Sequence, residues 1–334
     1  MPIRRSSAVT GAVVASLALI LTACSGDGDP TPTPSVTAST TPTPTASATP
    51  EPVPLSDSID AITVDGPAGE LPEVTIPTPF AIDATRTRVV TAGDTAGPKT
   101  PANGILEVDY VGINARTGET FDSSWANGAP VVMSLEQVVP GFQEGLTDRR
   151  PGDRMLIVIP GEDAYDAQGG QPSVGIEVGD TLVFVVDIHA AGVEDATGAA
   201  KSPALPVRLG ADDDDYPTLT VGRDAPAPSE PLAATVIQGS QRGVQASDYI
   251  MVKYRSYSWS TGELIEDRYA EPDGGPLSST IEDWKTGLEG KPIGSRVIIV
   301  APDAYPRGNE DPAITAGDPL VFVVDILFAS SAIG

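Results

Sequence analysis

The sequence predicts an α+β protein of two tandem domains, each a curved antiparallel β-sheet wrapped around one short helix, behind a disordered N-terminal stalk. Three observations carry that expectation. Four blocks of residues recur in one order at near-constant offset, the mark of a duplicated domain. Within each copy, apolar and polar residues alternate over short stretches, the period of a strand with one buried face. Each copy also holds one credible helix start.

The repeat is read directly from the 334-residue chain. Val108-Asp109-Tyr110 corresponds to Val252-Lys253-Tyr254, and each Tyr is followed eight residues later by a Gly-Glu pair, Gly118-Glu119 and Gly262-Glu263. Phe142-Gln143-Glu144-Gly145-Leu146 corresponds to Trp284-Lys285-Thr286-Gly287-Leu288, and Asp163-Ala164-Tyr165 to Asp303-Ala304-Tyr305. The run Gly179 to Ile188 nearly repeats as Gly317 to Ile326. These blocks place a first domain over 72–192, a linker over 193–214 and a second domain over 215–334.

The strands follow from the pattern of side chains. Leu106, Val108 and Tyr110 alternate with polar residues, as a half-buried strand requires. Leu182, Phe184, Val186 and Ile188 share one face of a late strand, and Met155 to Ile159 is continuously apolar, as in a strand buried on both sides. The helix of the first copy starts at Pro140, where proline suits the first helical position and holds Val139 extended. In the second copy Glu282 and Asp283 bring negative charge to a first turn, which the helix dipole favours.

The N-terminus reads differently. Arg4 and Arg5 precede an apolar stretch from Ala12 to Leu21 and then Leu21-Thr22-Ala23-Cys24, the layout of a secretory signal. The apolar stretch is shorter than the ~20 residues a bilayer crossing needs. Leu-Thr-Ala-Cys resembles the lipobox of bacterial lipoproteins, which implies lipidation of Cys24 and anchoring at the outer face of the cell membrane by two acyl chains. Cys24 is the only cysteine, so no intramolecular disulfide is expected. Residues 25–70 are rich in Thr, Pro and Ala, too poor in apolar surface to offset chain entropy, and read as an extended disordered stalk.

Composition excludes several functions. A formal net charge of −26 argues against nucleic acid, whose phosphates need clustered Lys and Arg. Asp212 to Asp215 lacks the spaced ligands and distal Glu of a calcium loop and reads as a solvated inter-domain loop. His189 is the only histidine, so a Ser-His-Asp triad and a His-based metal site lack parts. No glycine-rich phosphate loop is present. What each copy does hold is a scatter of aromatic and aliphatic residues that, taken alone, read as core.

In order and spacing those residues resemble the FKBP family, the macrolide-binding peptidyl-prolyl cis-trans isomerases. The likeness runs from Tyr110 through Gly118-Glu119-Thr120-Phe121-Asp122-Ser123-Ser124, Val138-Val139-Pro140-Gly141-Phe142-Gln143-Glu144-Gly145-Leu146 and Asp163-Ala164-Tyr165 to Thr181-Leu182-Val183-Phe184. It implies a shallow apolar pocket for the proline ring of an Xaa-Pro segment. Phe142 would form the floor where most relatives carry Trp, with Tyr110, Phe121, Ile176 and Phe184 as walls and Val138 and Val139 at the rim. The Val139 N–H and the Tyr165 hydroxyl would bond the peptide, and Asp122 would set polarity beside the ring. No cofactor or metal is implied; the partners implied are Xaa-Pro segments of exported proteins and macrolide inhibitors.

The sequence departs from the family pattern at Asp166, where relatives have Gly, and at Ile176-Glu177-Val178. In the second copy Tyr254, Trp284, Tyr305, Ile314 and Phe322 persist, but Ile265-Glu266 replaces Phe-Asp and Thr280-Ile281 replaces the Val pair. That copy is expected to retain weak activity or binding only. Two other classes stay open: a non-catalytic surface chaperone or peptide-binding module, and a structural spacer.

Overall fold

Strands apolar on every residue stay dry only if both faces of their sheet are covered, and the fold of this chain supplies two covers per sheet. The computed structural model describes residues 53–93, 97–222, 226, 228–305 and 314–332. The expected signal segment, Cys24 and the stalk up to residue 52 lie outside the described residues.

The first half runs β1 (Thr63–Asp65), β2 (Glu73–Thr75), β3 (Arg86–Thr91), β4 (Ile105–Asn114), β5 (Thr120–Ser123), α1 (Ser124–Asn127), β6 (Val131–Ser134), α2 (Pro140–Leu146), β7 (Arg154–Ile159) and β8 (Leu182–Ala191). The second half runs β9 (Ala199–Ala200), β10 (Val207–Ala211), β11 (Pro217–Val221), β12 (Leu232–Gln238), β13 (Tyr249–Ser258), β14 (Leu264–Asp267), β15 (Asp273–Pro276), α3 (Glu282–Leu288), β16 (Arg296–Ala301) and β17 (Leu320–Ser330). One sheet is ordered β3-β7-β8-β4-β5 with β6 also on β4; the other is ordered β14-β13-β17-β16-β12-β9 with β15 on β13. The hairpins β1–β2 and β10–β11 stand outside both.

The two-residue period of the strands sorts side chains into two cores. Met155, Ile157 and Ile159 of β7 and Leu182, Phe184, Val186 and Ile188 of β8 face helix α2 and its Phe142 and Leu146. Leu156, Val158, Val183 and Val185 face the other way, onto Ile59, Ile62, Phe80 and Ile82. The second sheet repeats the arrangement. Ile299, Phe322 and Val324 meet Trp284 and Leu288 of α3, while Ile298, Val300, Val321 and Val323 meet Val207, Leu219 and Val221 of the β10–β11 hairpin.

A buried ion pair ties the first cover down. Arg154, with no exposed side-chain surface, meets Asp187 through Nε and Nη2 at 2.6 and 2.7 Å. Its Nη1 and Nη2 also donate to Gly66 O and Glu70 O at 3.1 and 2.6 Å, and Gly69 N–H donates to Asp187 at 2.6 Å. The turn between β1 and β2 is thus bonded to the sheet it covers. Arg296 and Asp325 pair at the matching place in the second sheet, at 2.6 and 2.7 Å.

Four expectations change in detail. The disordered segment does not extend to residue 70, because Ile59 and Ile62 bury against the first sheet and bring 53–70 into the fold. The stretch 193–214 contains β9, paired to β12, and β10, whose Val207 is buried. The Asp run forms the β10–β11 turn, where Asp212 is anchored on Arg255 at 2.7 Å and held below the usual carboxylate range by that bond. Finally, the first half has a second helical turn, α1, whose N-cap Ser123 accepts from Ala126 N–H at 3.4 Å.

The sheets also touch. The Gln241 amide accepts from Ala191 N–H at 2.9 Å and donates to Ala191 O at 2.8 Å, and Val193 N–H donates to Leu327 O at 3.0 Å. Among the described residues, no helix is long and apolar enough to cross a membrane.

Candidate functional site

The helix α2 begins after Val139, whose extended backbone (φ −63°, ψ 149°) leads into Pro140. That turn aims Phe142 at the sheet, where it is 5% exposed. Phe184 is the hub: its ring centroid lies 4.9 Å from Phe142, 5.6 Å from Phe121 and 6.4 Å from Tyr110, and Tyr110 lies 6.5 Å from Phe142. Edge-to-face contacts of this kind stabilise aromatic pairs beyond their buried area. Gly112 on β4 makes room for them, since a Cβ there would stand 2.6 Å from Phe121 and 2.9 Å from Phe184.

These rings bound an open cavity of about 450 Å³, lined by Tyr110, Phe121, Asp122, Val138, Val139, Phe142, Tyr165 and Phe184. Met133, Gln137, Pro140 and Gln168 complete the lining. Of the residues expected there, Ile176 is the exception: it is 2% exposed, packs into the core beside Phe142 and Ala164, and lines no part of the cavity. Its strand-like neighbours explain why: Gln171 and Ile176 bond to each other's backbones, closing a small loop that turns Ile176 inward while Glu177 and Val178 stay exposed.

The polar groups are few. The Tyr110 hydroxyl donates to Asp122 Oδ2, and Ser123 N–H donates to Asp122 Oδ1 at 2.8 Å. Burial, reinforced by the Asp122 carboxylate, pushes the Tyr110 phenol well above its ordinary value; burial and the same carboxylate raise Tyr165. Both phenols therefore stay protonated donors at neutral pH. The cavity combines apolar walls with one carboxylate, two hydroxyls and the Gln137 and Gln168 amides, and among the described residues no cluster of His, Cys, Asp and Glu could hold a metal ion.

Ser124 is a residue that the family motif marks without showing its task. Its Oγ is buried, accepts from Tyr110 N–H at 2.9 Å and donates to Asp109 at 2.6 Å, while His189 Nε2 meets the other Asp109 oxygen at 2.8 Å. The carboxylate sits between Ser and His, so the imidazole does not face the hydroxyl, and the array pins the start of α1 to β4 and β8. Ser124→Ala should cost about 1–3 kcal/mol by chemical denaturation, the typical cost of stranding a buried partner. A loss under about 0.5 kcal/mol would mean that Asp109 is served otherwise.

The second sheet builds a related cavity of about 490 Å³. Trp284 lies 5.0 Å from Tyr254 and 5.5 Å from Phe322, and Glu266, Thr280, Ile281 and Tyr305 also line it. Ile265 and Ile314 do not; both pack against the core instead. Burial and Glu266 raise the Tyr254 phenol, and Glu266 is held by Arg268 at 3.1 Å. Val252 of the repeated block also lines it, and Ile250, Asp273 to Pro276 and Ser279, which no motif marks, form the rest of the lining.

Comparison with known proteins places the first sheet. The profile of FKBP-type peptidyl-prolyl cis-trans isomerases matches residues 97–189. The "Probable FK506-binding protein" of Corynebacterium glutamicum is 40% identical over 96 residues, 28% of this chain and 78% of that protein. The FK506-binding protein of Streptomyces anulatus is 36% identical over 135 residues, 40% of this chain and 98% of that protein. The FKBP-type isomerase FkpA of Escherichia coli is 36% identical over 119 residues, 36% of this chain and 40% of its own length.

Proposed function

The chain belongs to the FKBP family of peptidyl-prolyl cis-trans isomerases, and we propose that its turnover resides in the first cavity, acting on Xaa-Pro bonds of exported proteins. The observation that carries this reading is the convergence of Tyr110, Phe121, Phe142 and Phe184 on one open hollow beside Asp122. Amide resonance sets a barrier of about 18–20 kcal/mol to rotation about the imide bond. The twisted transition state has lost that resonance and the charge separation that goes with it, so apolar walls that exclude water favour it over the planar ground state. The ring would stack over Phe142, with Val139 N–H at the rim and the Tyr165 hydroxyl as donors that fix the flanking backbone. The Asp122 charge, already fixed by Tyr110 and Ser123, costs no reorganisation during rotation.

Cys24, in its Leu-Thr-Ala-Cys setting, supports a lipid-anchored protein at the outer face of the membrane, with residues 25–52 as tether. Macrolides that mimic a prolyl segment would compete for the same cavity. We read the second sheet as a diverged copy that binds without efficient turnover, because Ile265 faces the core and Arg268 neutralises Glu266.

The full chain should accelerate cis-trans isomerisation of an Ala-Leu-Pro-Phe peptide in a protease-coupled assay. Asp122→Ala should lower kcat/KM about tenfold, the worth of one charge-assisted interaction, with the unfolding midpoint unchanged since Asp122 is exposed. A folded chain that gives no acceleration would end the proposal.

A further inference from the structure

One strand of the first cavity is shared between the two halves of the chain. Strand β6 pairs with β4 and, among the described residues, with no other strand. Its two-residue period turns Val131 and Met133 to the first core, where Met133 lines the cavity. Val132 turns the other way, in register beside Glu107 of β4, which in turn stands opposite Ala190 of β8. Ile105 and Val132 pack on the cluster in which Ala190 joins Val244, Phe328 and Ala329 of the second half. Just past β6 the chain forms the rim of the cavity with Gln137, Val138 and Val139.

Charge ties this seat. Arg242 of the second half donates to Glu107 at 3.4 Å, to Ala329 O at 2.7 Å and to Asp248 Oδ2 at 2.8 Å. Glu107 is buried, 5% exposed, and its neighbours on either side are Val132 and Ala190. These groups are not features of the repeat itself: in the places of Glu107 and Val132 the second copy holds Met251 and Gly274. A carboxylate buried where the other copy has a methionine costs desolvation that only a partner offsets, and that partner lies in the other half. A four-residue edge strand held by one neighbour is an element of low local stability. What seats its back face therefore sets how firmly the rim that follows it stands.

Resting on the reading of the first cavity as the place of turnover, we propose that Arg242 is a positioning residue for it. Through Glu107 and the seating of Val132, the second half holds β6, and with it the rim from Gln137 to Val139, where a prolyl segment needs them. Arg242 lines no part of that cavity, so its effect runs through the strand alone. The second half then contributes to turnover in the first whether or not its own cavity is occupied.

The test compares the full chain with Arg242→Ala, Val132→Ala and Glu107→Gln, in the protease-coupled assay and by amide hydrogen exchange. Arg242→Ala and Val132→Ala should each lower kcat/KM about tenfold, a part of the roughly hundredfold that a 1 Å displacement at the reacting group costs. The double variant should lie within about twofold of the slower single one, because both remove the same seat. Glu107→Gln keeps an acceptor for the guanidinium and should retain kcat/KM within about threefold. The Leu135 and Gln137 amides are bonded to Gly104 O at 2.9 Å and Ser134 O at 3.0 Å. In Arg242→Ala they should exchange about tenfold faster, while the Val185 amide in the central strand β8 keeps its rate. A folded Arg242→Ala with the kcat/KM of the unaltered chain, or one in which Val185 exchanges faster by the same factor, would overturn the proposal. If the unaltered chain gives no acceleration, the reading of the first cavity fails and exchange alone decides: unchanged Leu135 and Gln137 rates in Arg242→Ala then overturn the seat as well.

Discussion

Arg154→Ala is expected to lower the free energy of unfolding of the first half by about 3–5 kcal/mol, the cost of removing one partner from a buried ion pair. The side chain is wholly buried and its removal leaves Asp187, 5% exposed, without its cation. Gly66 O and Glu70 O lose their donor at the same time, so the turn of the β1–β2 hairpin is released from the sheet. Arg154→Met with Asp187→Leu should recover only part of the loss, because apolar replacements cure the stranded charge but not the carbonyls. Urea denaturation monitored by circular dichroism reads both variants. A single-variant loss under about 1 kcal/mol would mean that water reaches the pair. Turnover per folded molecule should hold within about twofold, since Arg154 faces away from the cavity.

The second large effect lies on the other face. Phe142→Ala removes a ring that is 5% exposed and touches both Tyr110 and Phe184. Core truncations of this size cost about 3–5 kcal/mol, and a reacting group displaced by about 1 Å costs on the order of a hundredfold in rate. A fall in kcat/KM of at least about a hundredfold is therefore expected, together with reduced stability. Phe142→Trp separates the two effects. Trp284 shows that an indole fits the equivalent place between Tyr254 and Phe322, so this variant should fold and keep kcat/KM within a few-fold. If Phe142→Ala turns over normally while folded, the floor of the cavity has been misassigned.

What the sequence made legible and what it hid have different physical origins. The duplication, the strands around Tyr110 and Phe184 and the helix at Pro140 rest on local patterns, and proximity of the aromatic residues followed from a motif with fixed spacing. The covers over the outer sheet faces were hidden because Ile59, Ile62, Phe80 and Ile82 stand singly among Pro, Ser, Asp and Gly, with no period to mark them. Val207 and Leu219 were likewise masked by the Asp run between them. A signal was nonetheless present: β7 and β8 are apolar on both faces, which no one-sided sheet needs, and each copy sets an Arg and an Asp inside such runs, at Arg154 and Asp187 and at Arg296 and Asp325. Ile176 was misplaced because the motif fixes its position in the chain but not which way its loop turns. Val132 could not be read as facing the second half without the register of β6 on β4.

The outer cover also dictates how the protein can be cut. A fragment trimmed to the family match at 97–189 would keep every ring of the first cavity yet lose Ile59, Ile62, Phe80 and Ile82, and with them strand β3. Val111, Leu156, Val158, Val183 and Val185 would then face water as one oily surface beside an unpaired strand edge, an arrangement that invites clumping. Anyone wishing to express the first half by itself should begin no later than residue 53.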